Sequence, residues 1–181
     1  MNELLRQCEM RGTDLQQACS LFWTLGAKQV GRAAISGWRD VIIPALGNSP
    51  EQIRLWPFNG SLESLLEGFG STVIVETYPA STYVQLGTGF RPGEGKRQQS
   101  ARKRMGSELL NKVHSWNVTL DEDLVECFID GFGPSPNGED DFDAIVGLFG
   151  MLDVVFGFQP EGAPDTDKVR KIEGWIFGRR M

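Results

Sequence analysis

The feature that most constrains this chain is the stretch Asn137-Gly138-Glu139-Asp140-Asp141-Phe142-Asp143-Ala144-Ile145-Val146-Gly147-Leu148-Phe149-Gly150. It begins as a turn and continues as a helix that is apolar almost all round. Phe142, Ile145, Val146, Phe149, Leu152 and Phe156 recur at helical spacing, and Leu148, Met151 and Val155 fill a second face. Such a helix is expected to be buried on most sides. One narrow stripe differs: Asp140, Asp143, Gly147 and Gly150 line up along the axis. Glycines let another backbone approach, so the spacing predicts two carboxylates heading a stripe that presses on a sheet. A second reading is that Asp140 and Asp141 cap the helix and suit its dipole. Capping leaves Asp143, one turn further in, unexplained.

The chain has 181 residues, which fits one domain over residues 1–181 with a real core. Its net charge of −6 argues against indiscriminate coating of nucleic acid, although a local basic strip can still meet phosphate. Cys8, Cys19 and Cys127 form no recognisable disulfide framework and suit a reducing, cytoplasmic setting. His114 is the one histidine, so neither a Cys/His metal site nor a Ser-His-Asp triad is expected. Residues 1–17 are too polar for a signal peptide, and no apolar run is long enough to span a bilayer. No membrane partner is expected.

Along the chain, residues 3–18 read as a helix interrupted near Gly12. Leu21 to Leu25 reads as a strand or a buried turn. Gly26-Ala27-Lys28 leads into a long helix from Gln29 to Leu46, bent or ended by Pro44. Ile53-Arg54-Leu55-Trp56 is a short strand stopped by Pro57. Ser61 caps a short helix carrying Leu62, Leu65 and Leu66, ended from Gly68 to Gly70. Thr72 to Tyr78 is a second strand, stopped by Pro79. Strand, helix, strand predicts a crossover unit with a parallel pair. Val73-Ile74-Val75 suits a central strand covered on both faces. Glu76 stands just past it, where ligands of α/β sheets gather. It is either a functional carboxylate or the structural partner of a nearby Lys or Arg.

Gly87 to Arg97 is a flexible loop. It is not a P-loop: no Gly stands five before Gly95, and Arg97 occupies the magnesium-holding Ser/Thr position. A helix follows from Gln98 to Val113. Arg91, Lys96, Arg97, Arg102, Lys103 and Arg104 form a basic strip, either a solvated helix face or a surface for phosphates. Leu120 to Ile129 is a helix capped by Thr119 and closed by Gly131. Glu173 to Phe177 is a terminal strand or turn.

Several stretches together resemble the family called domain of unknown function 429, a predicted nuclease group with an RNase H-like fold. They are Arg6-Gln7-Cys8-Glu9, Phe22 to Gly31, Leu55-Trp56-Pro57-Phe58-Asn59-Gly60, Val75-Glu76-Thr77-Tyr78-Pro79-Ala80, Lys96-Arg97, Asp140-Asp141-Phe142-Asp143-Ala144 and Glu173-Gly174-Trp175-Ile176. The resemblance implies an α/β fold, an RNase H-like mixed sheet flanked by helices. It also implies a metal-dependent nuclease or related phosphoryl hydrolase. Glu76, Asp140 and Asp143 would be catalytic and would hold Mg²⁺. Lys96 and Arg97 would bind the phosphate of a nucleic acid or small phosphorylated substrate. Longer family members carry an N-terminal segment with the first strands and the first Asp of the site. No strand followed by Gly-x-Asp precedes Arg6, so the fold is expected to be N-terminally incomplete. The rival expectation is a non-catalytic binding or assembly protein that keeps the fold. An uncovered strand edge would favour a homodimer.

Overall fold

The computed structural model of the protein describes residues 5–12, 15–25, 30–67, 70–135 and 137–180. The chain divides into two compact units, one of Met1–Glu76 with Glu161–Met181 and one of Thr77–Pro160.

The first unit holds the sheet. Strands β1 (Ile53–Leu55) and β2 (Thr72–Ile74) pair in parallel, with Ile53 opposite Thr72 and Leu55 opposite Ile74. A short helix, Leu62–Leu66, separates them in sequence, so the expected strand–helix–strand crossover is present. Its cap is Ser61, whose side chain accepts from Ser64 N at 3.3 Å. Past β2, Glu76 bridges Ile176 in parallel, and Phe177 N donates to Glu76 O at 2.8 Å. The expected terminal strand is thus a single bridge. The fold is α/β, but the sheet has two strands among the described residues. Val73, Ile74 and Val75 are therefore half-buried rather than covered on both faces.

The long N-terminal helix expected over 3–18 does not form in its described part. Only a 3-10 turn, Gln7–Glu9, stands there. The reason is local: the Glu9 side chain is fully buried and accepts from Arg6 N at 2.9 Å and Leu21 N at 2.7 Å. A side chain that satisfies backbone donors in this way competes with a helical ladder. Leu21 to Leu25 is not a buried element: Phe22 is 56% and Leu25 66% exposed. Gly26-Ala27-Lys28, Gln29 and Gly68 lie outside the described residues. The next helix runs as α1 (Val30–Gly37), a π-helical turn Trp38–Ile42 and α2 (Ile43–Asn48). Pro44 has no N–H to give, and the wider turn before it absorbs that break without ending the helix. Leu62–Leu66 is α3, and a π-helical turn stands at Val169–Glu173 among the described residues of this unit.

The second unit is helical. It contains α4 (Pro79–Gln85), α5 (Gln99–Ser115), α6 (Glu122–Asp130) and α7 (Gly138–Val155). Their core joins Tyr83, Met105, Leu109, Phe128, Phe142, Val146 and Phe149. Phe128 stacks on Phe149 with centroids 5.5 Å apart, and Trp116 meets Phe149 edge-on at 5.6 Å. Asp121, not Thr119, caps α6, its carboxylate accepting from Asp123 N at 3.0 Å. Gly131 closes it at φ +68°.

Helix α7 is less enclosed than its composition predicts, for Leu148 and Val155 are exposed. Its glycine stripe meets a helix and its lead-in rather than a sheet. A Cβ on Gly150 would stand 2.4 Å from Thr82 Cγ2 on α4, and one on Gly147 would stand 3.1 Å from Thr77 Oγ1. Close approach is what the missing side chains make room for.

Candidate functional site

In the first unit, Glu76 stands two residues past the end of β2. Arg6 donates to it with two nitrogens, Nη2 to Oε1 at 2.6 Å and Nη1 to Oε2 at 2.7 Å. Such two-pronged pairs are the strong ones. Arg6 also donates from Nε to Glu9 Oε1 at 2.8 Å and from Nη1 to the Glu173 carbonyl at 3.1 Å. Burial alone would make the guanidinium easier to deprotonate, but the hydrogen bond and charge of Glu76 outweigh it and raise the Arg6 pKa. Glu173 is held in turn by Lys168 at 2.8 Å and by Gln7 N at 3.1 Å. Cys8, buried beside this network, has its thiol pushed up to about 11, chiefly by burial.

This network lines one side of a cavity of about 510 Å³. Leu55 and Trp56 come to it from the end of β1, and Ile74, Val75 and Glu76 from the end of β2. Aromatic rings dominate the rest: Phe22, Trp38, Phe58 and Trp175 line it with Trp56. Trp56 is fixed by its indole N–H donating to Glu161 Oε2 at 2.8 Å and by an edge contact with Phe177. Phe58 lies on Gly174, where a Cβ would stand 2.9 Å from its ring. The cavity thus opens at the carboxyl ends of the parallel pair, where α/β sheets bind ligands.

In the second unit, Asp143 projects from α7 to two partners. Tyr83 Oη donates to Oδ1 at 2.6 Å, and Lys96 Nζ donates to Oδ2 at 2.5 Å. Burial, then the hydrogen bond and charge of Asp143, push the Tyr83 phenol well up. Arg102 is fully buried and donates to backbone carbonyls only: Lys96 O and Gly133 O at 2.6 Å, Gly131 O at 2.7 Å. It anchors the main chain that carries Lys96. Asp140 is exposed at the first turn of α7.

The basic strip is interleaved with acids. Lys96 pairs with Asp143, Arg97 with Glu139 at 3.6 Å, and Lys103 with Asp130 at 3.3 Å. Arg104 pairs with Glu94 and Glu108. Arg102 is core, not surface, because main-chain oxygens of the Gly131–Ser135 loop satisfy it.

Of the expected acids, Glu76 belongs to the first unit, and Asp140 and Asp143 to the second. Among the described residues, no three His, Cys, Asp or Glu side chains are grouped to hold a metal ion. Glu76 and Asp143 each already hold a cation, so a divalent ion at either would compete with Arg6 or Lys96 for the same oxygens. The candidate site residues that the sequence did not single out are Arg6, Tyr83 and the aromatic lining. The only signal for Arg6 was its place at the head of a motif.

Compared with protein-family models, curated proteins and solved structures, the chain matches none of them. No helix among the described residues is long and apolar enough to cross a membrane.

Proposed function

We propose that the chain is a ligand-binding protein whose site is the aromatic cavity of its first unit. One observation carries this reading: the cavity opens at the carboxyl ends of β1 and β2, with a paired arginine and glutamate at its edge. Its volume of about 510 Å³ lies in the range of small-molecule sites, roughly 300–1,000 Å³. Apolar walls with a few fixed polar groups are the usual composition of such sites. Gly37 offers a test. It lines the cavity, a Cβ there meets nothing within 4 Å, and its φ of −59° suits any residue. Gly37→Phe should fill the space without straining the backbone. A neutral, environment-sensitive fluorescent dye, prodan (a dimethylaminopropionylnaphthalene), should bind the native chain and bind the variant poorly. Equal dye binding by both would count against the cavity as a site.

A second reading keeps the nuclease or phosphoryl hydrolase of the RNase H-like class, with Mg²⁺ held at Glu76 in the first unit. It is favoured by the position of Glu76 beyond a strand end. Arg6 would have to release this carboxylate on metal binding. Calorimetric titration with Mg²⁺, alongside cleavage of single-stranded and branched DNA, tests it. Heat and cleavage that both vanish in Glu76→Gln would support it, and an absence of both would remove it. A homodimer, for which a sheet of two strands among the described residues is the argument, is decided by sedimentation at micromolar concentration.

A further inference from the structure

We infer that the cavity takes a heteroaromatic base presenting N–H donors, of the kind carried by nucleosides. The inference rests on the ligand-binding reading above and adds the chemical class. Three features select it.

The first is the walls. Three of the chain's five tryptophans, Trp38, Trp56 and Trp175, line the cavity with Phe22 and Phe58. Flat rings favour a flat ligand, because stacked and edge-on contacts need planar partners. Trp56 and Trp175 are almost fully buried, whereas Trp38 is half-buried, Phe58 38% and Phe22 56% exposed, so the rings open to a ligand are those of Trp38, Phe58 and Phe22.

The second is the sign of the polar edge. The ionisable lining residues are Arg6, Glu76 and Glu173. Arg6 directs its Nε, Nη1 and Nη2 donors at Glu9, Glu76 and the Glu173 carbonyl. A guanidinium has five N–H groups, and this network uses most of them. What faces a ligand is acceptor oxygen. Glu76 is the more open carboxylate, with its side chain 29% exposed against 12% for Glu173. Each carboxylate oxygen has a second lone pair beyond the one Arg6 uses.

The third is what this edge repels. Arg6 and Lys168 against Glu9, Glu76 and Glu173 leave this network net negative, so a phosphate would be disfavoured inside. The base, not the phosphate, is the part that fits. Ring N–H and exocyclic amino groups would donate to Glu76 while the ring lies against the aromatic walls.

Tryptophan fluorescence titrations with guanosine, cytidine and caffeine test this on the full chain. Caffeine is a planar heteroaromatic with no N–H. Guanosine and cytidine should quench, with caffeine about tenfold weaker, the scale of a hydrogen bond to a charged group. Phe58→Ala should weaken guanosine about tenfold, as loss of one ring–base stack does. Gly37→Phe should abolish quenching, with circular dichroism showing that it is folded. Caffeine binding as tightly as guanosine would overturn the role of Glu76. Failure of both nucleosides while the neutral dye prodan still binds would overturn the base assignment and leave the cavity reading intact. Failure of every probe would remove both. A short guanine-containing single strand binding more tightly than guanosine would place the base within a nucleic acid chain, and weaker binding would make the free nucleoside the ligand.

Discussion

Arg6 and Glu76 are seventy residues apart in sequence and joined by two hydrogen bonds at 2.6 and 2.7 Å. The pair ties the N-terminal turn to the end of β2 and sets the polar edge of the cavity. Arg6→Ala would take from Glu76 and from the buried Glu9 the cation that both share. We expect a loss of about 3–5 kcal/mol, the range for breaking a buried pair, because Glu9 is fully buried and loses the same cation. Arg6→Lys should recover only part of it, since an ammonium cannot match both oxygens. Urea midpoints of the two variants measure this. A cost within error of zero for Arg6→Ala would show that the pair is incidental.

Tyr83 and Asp143 give a second expectation. Tyr83→Phe removes the donor to Oδ1 and leaves the ring in the core. The cost should be about 1.5–3 kcal/mol, the range for a hydrogen bond to a charged group. In a Lys96→Met background the same substitution should cost a different amount, because both partners serve one carboxylate. Simple additivity in that cycle would mean that the three side chains act independently.

Gly150→Ala places a methyl 2.4 Å from Thr82 Cγ2. Overpacking of this kind costs about 1–3 kcal/mol. Thr82→Ser deletes the opposing methyl and keeps the hydroxyl, which bonds Tyr78 O at 3.2 Å. The double variant should therefore be more stable than Gly150→Ala alone. Thermal midpoints decide it, and an unrescued double variant would place the strain elsewhere.

Acid should destabilise the first unit through Glu173. Burial would raise this carboxyl, but Lys168 and the Gln7 N–H more than offset that and hold it below its ordinary 4.5. A folded-state value below the unfolded one adds stability that is complete above the ordinary value. That stability is lost as pH falls through the folded value. Unfolding midpoints should fall across the carboxylate range, roughly pH 5 to 3, and fall less steeply in Lys168→Ala. Identical slopes for both chains would assign the acid sensitivity to other groups.

How much of this was legible in the sequence depends on what each element is made of. The parallel pair was readable because Pro57 and Pro79 bracket short apolar runs around a Ser-capped helix. Helices α5, α6 and α7 were readable from spacing and from Gly131. Composition hid the sheet's size, since half-buried and fully covered valines look alike in one dimension. Glu9 was read as helical and instead sits buried in a turn, because its partners, Arg6 and Leu21, are set by the chain's path. Arg102 was counted with the surface cations for the same reason: carbonyl oxygens leave no mark on a sequence. The aromatic cavity gathers Phe22, Trp38, Phe58 and Trp175 from four separate segments, none of which signals a site alone.

Arg102 holds the Gly131–Ser135 loop by its oxygens and by nothing that distinguishes one side chain from another. Gly131, Phe132 and Gly133 all have positive φ, so the path itself is demanding. The side chain at the exposed Pro134 is a different matter, whereas the Ser135 hydroxyl is tied to the turn, accepting from Asn137 N at 3.2 Å. Position 134 can change while the clamp persists, provided the main chain keeps its course. The loop is therefore a place where this protein can change its surface chemistry without renegotiating its architecture.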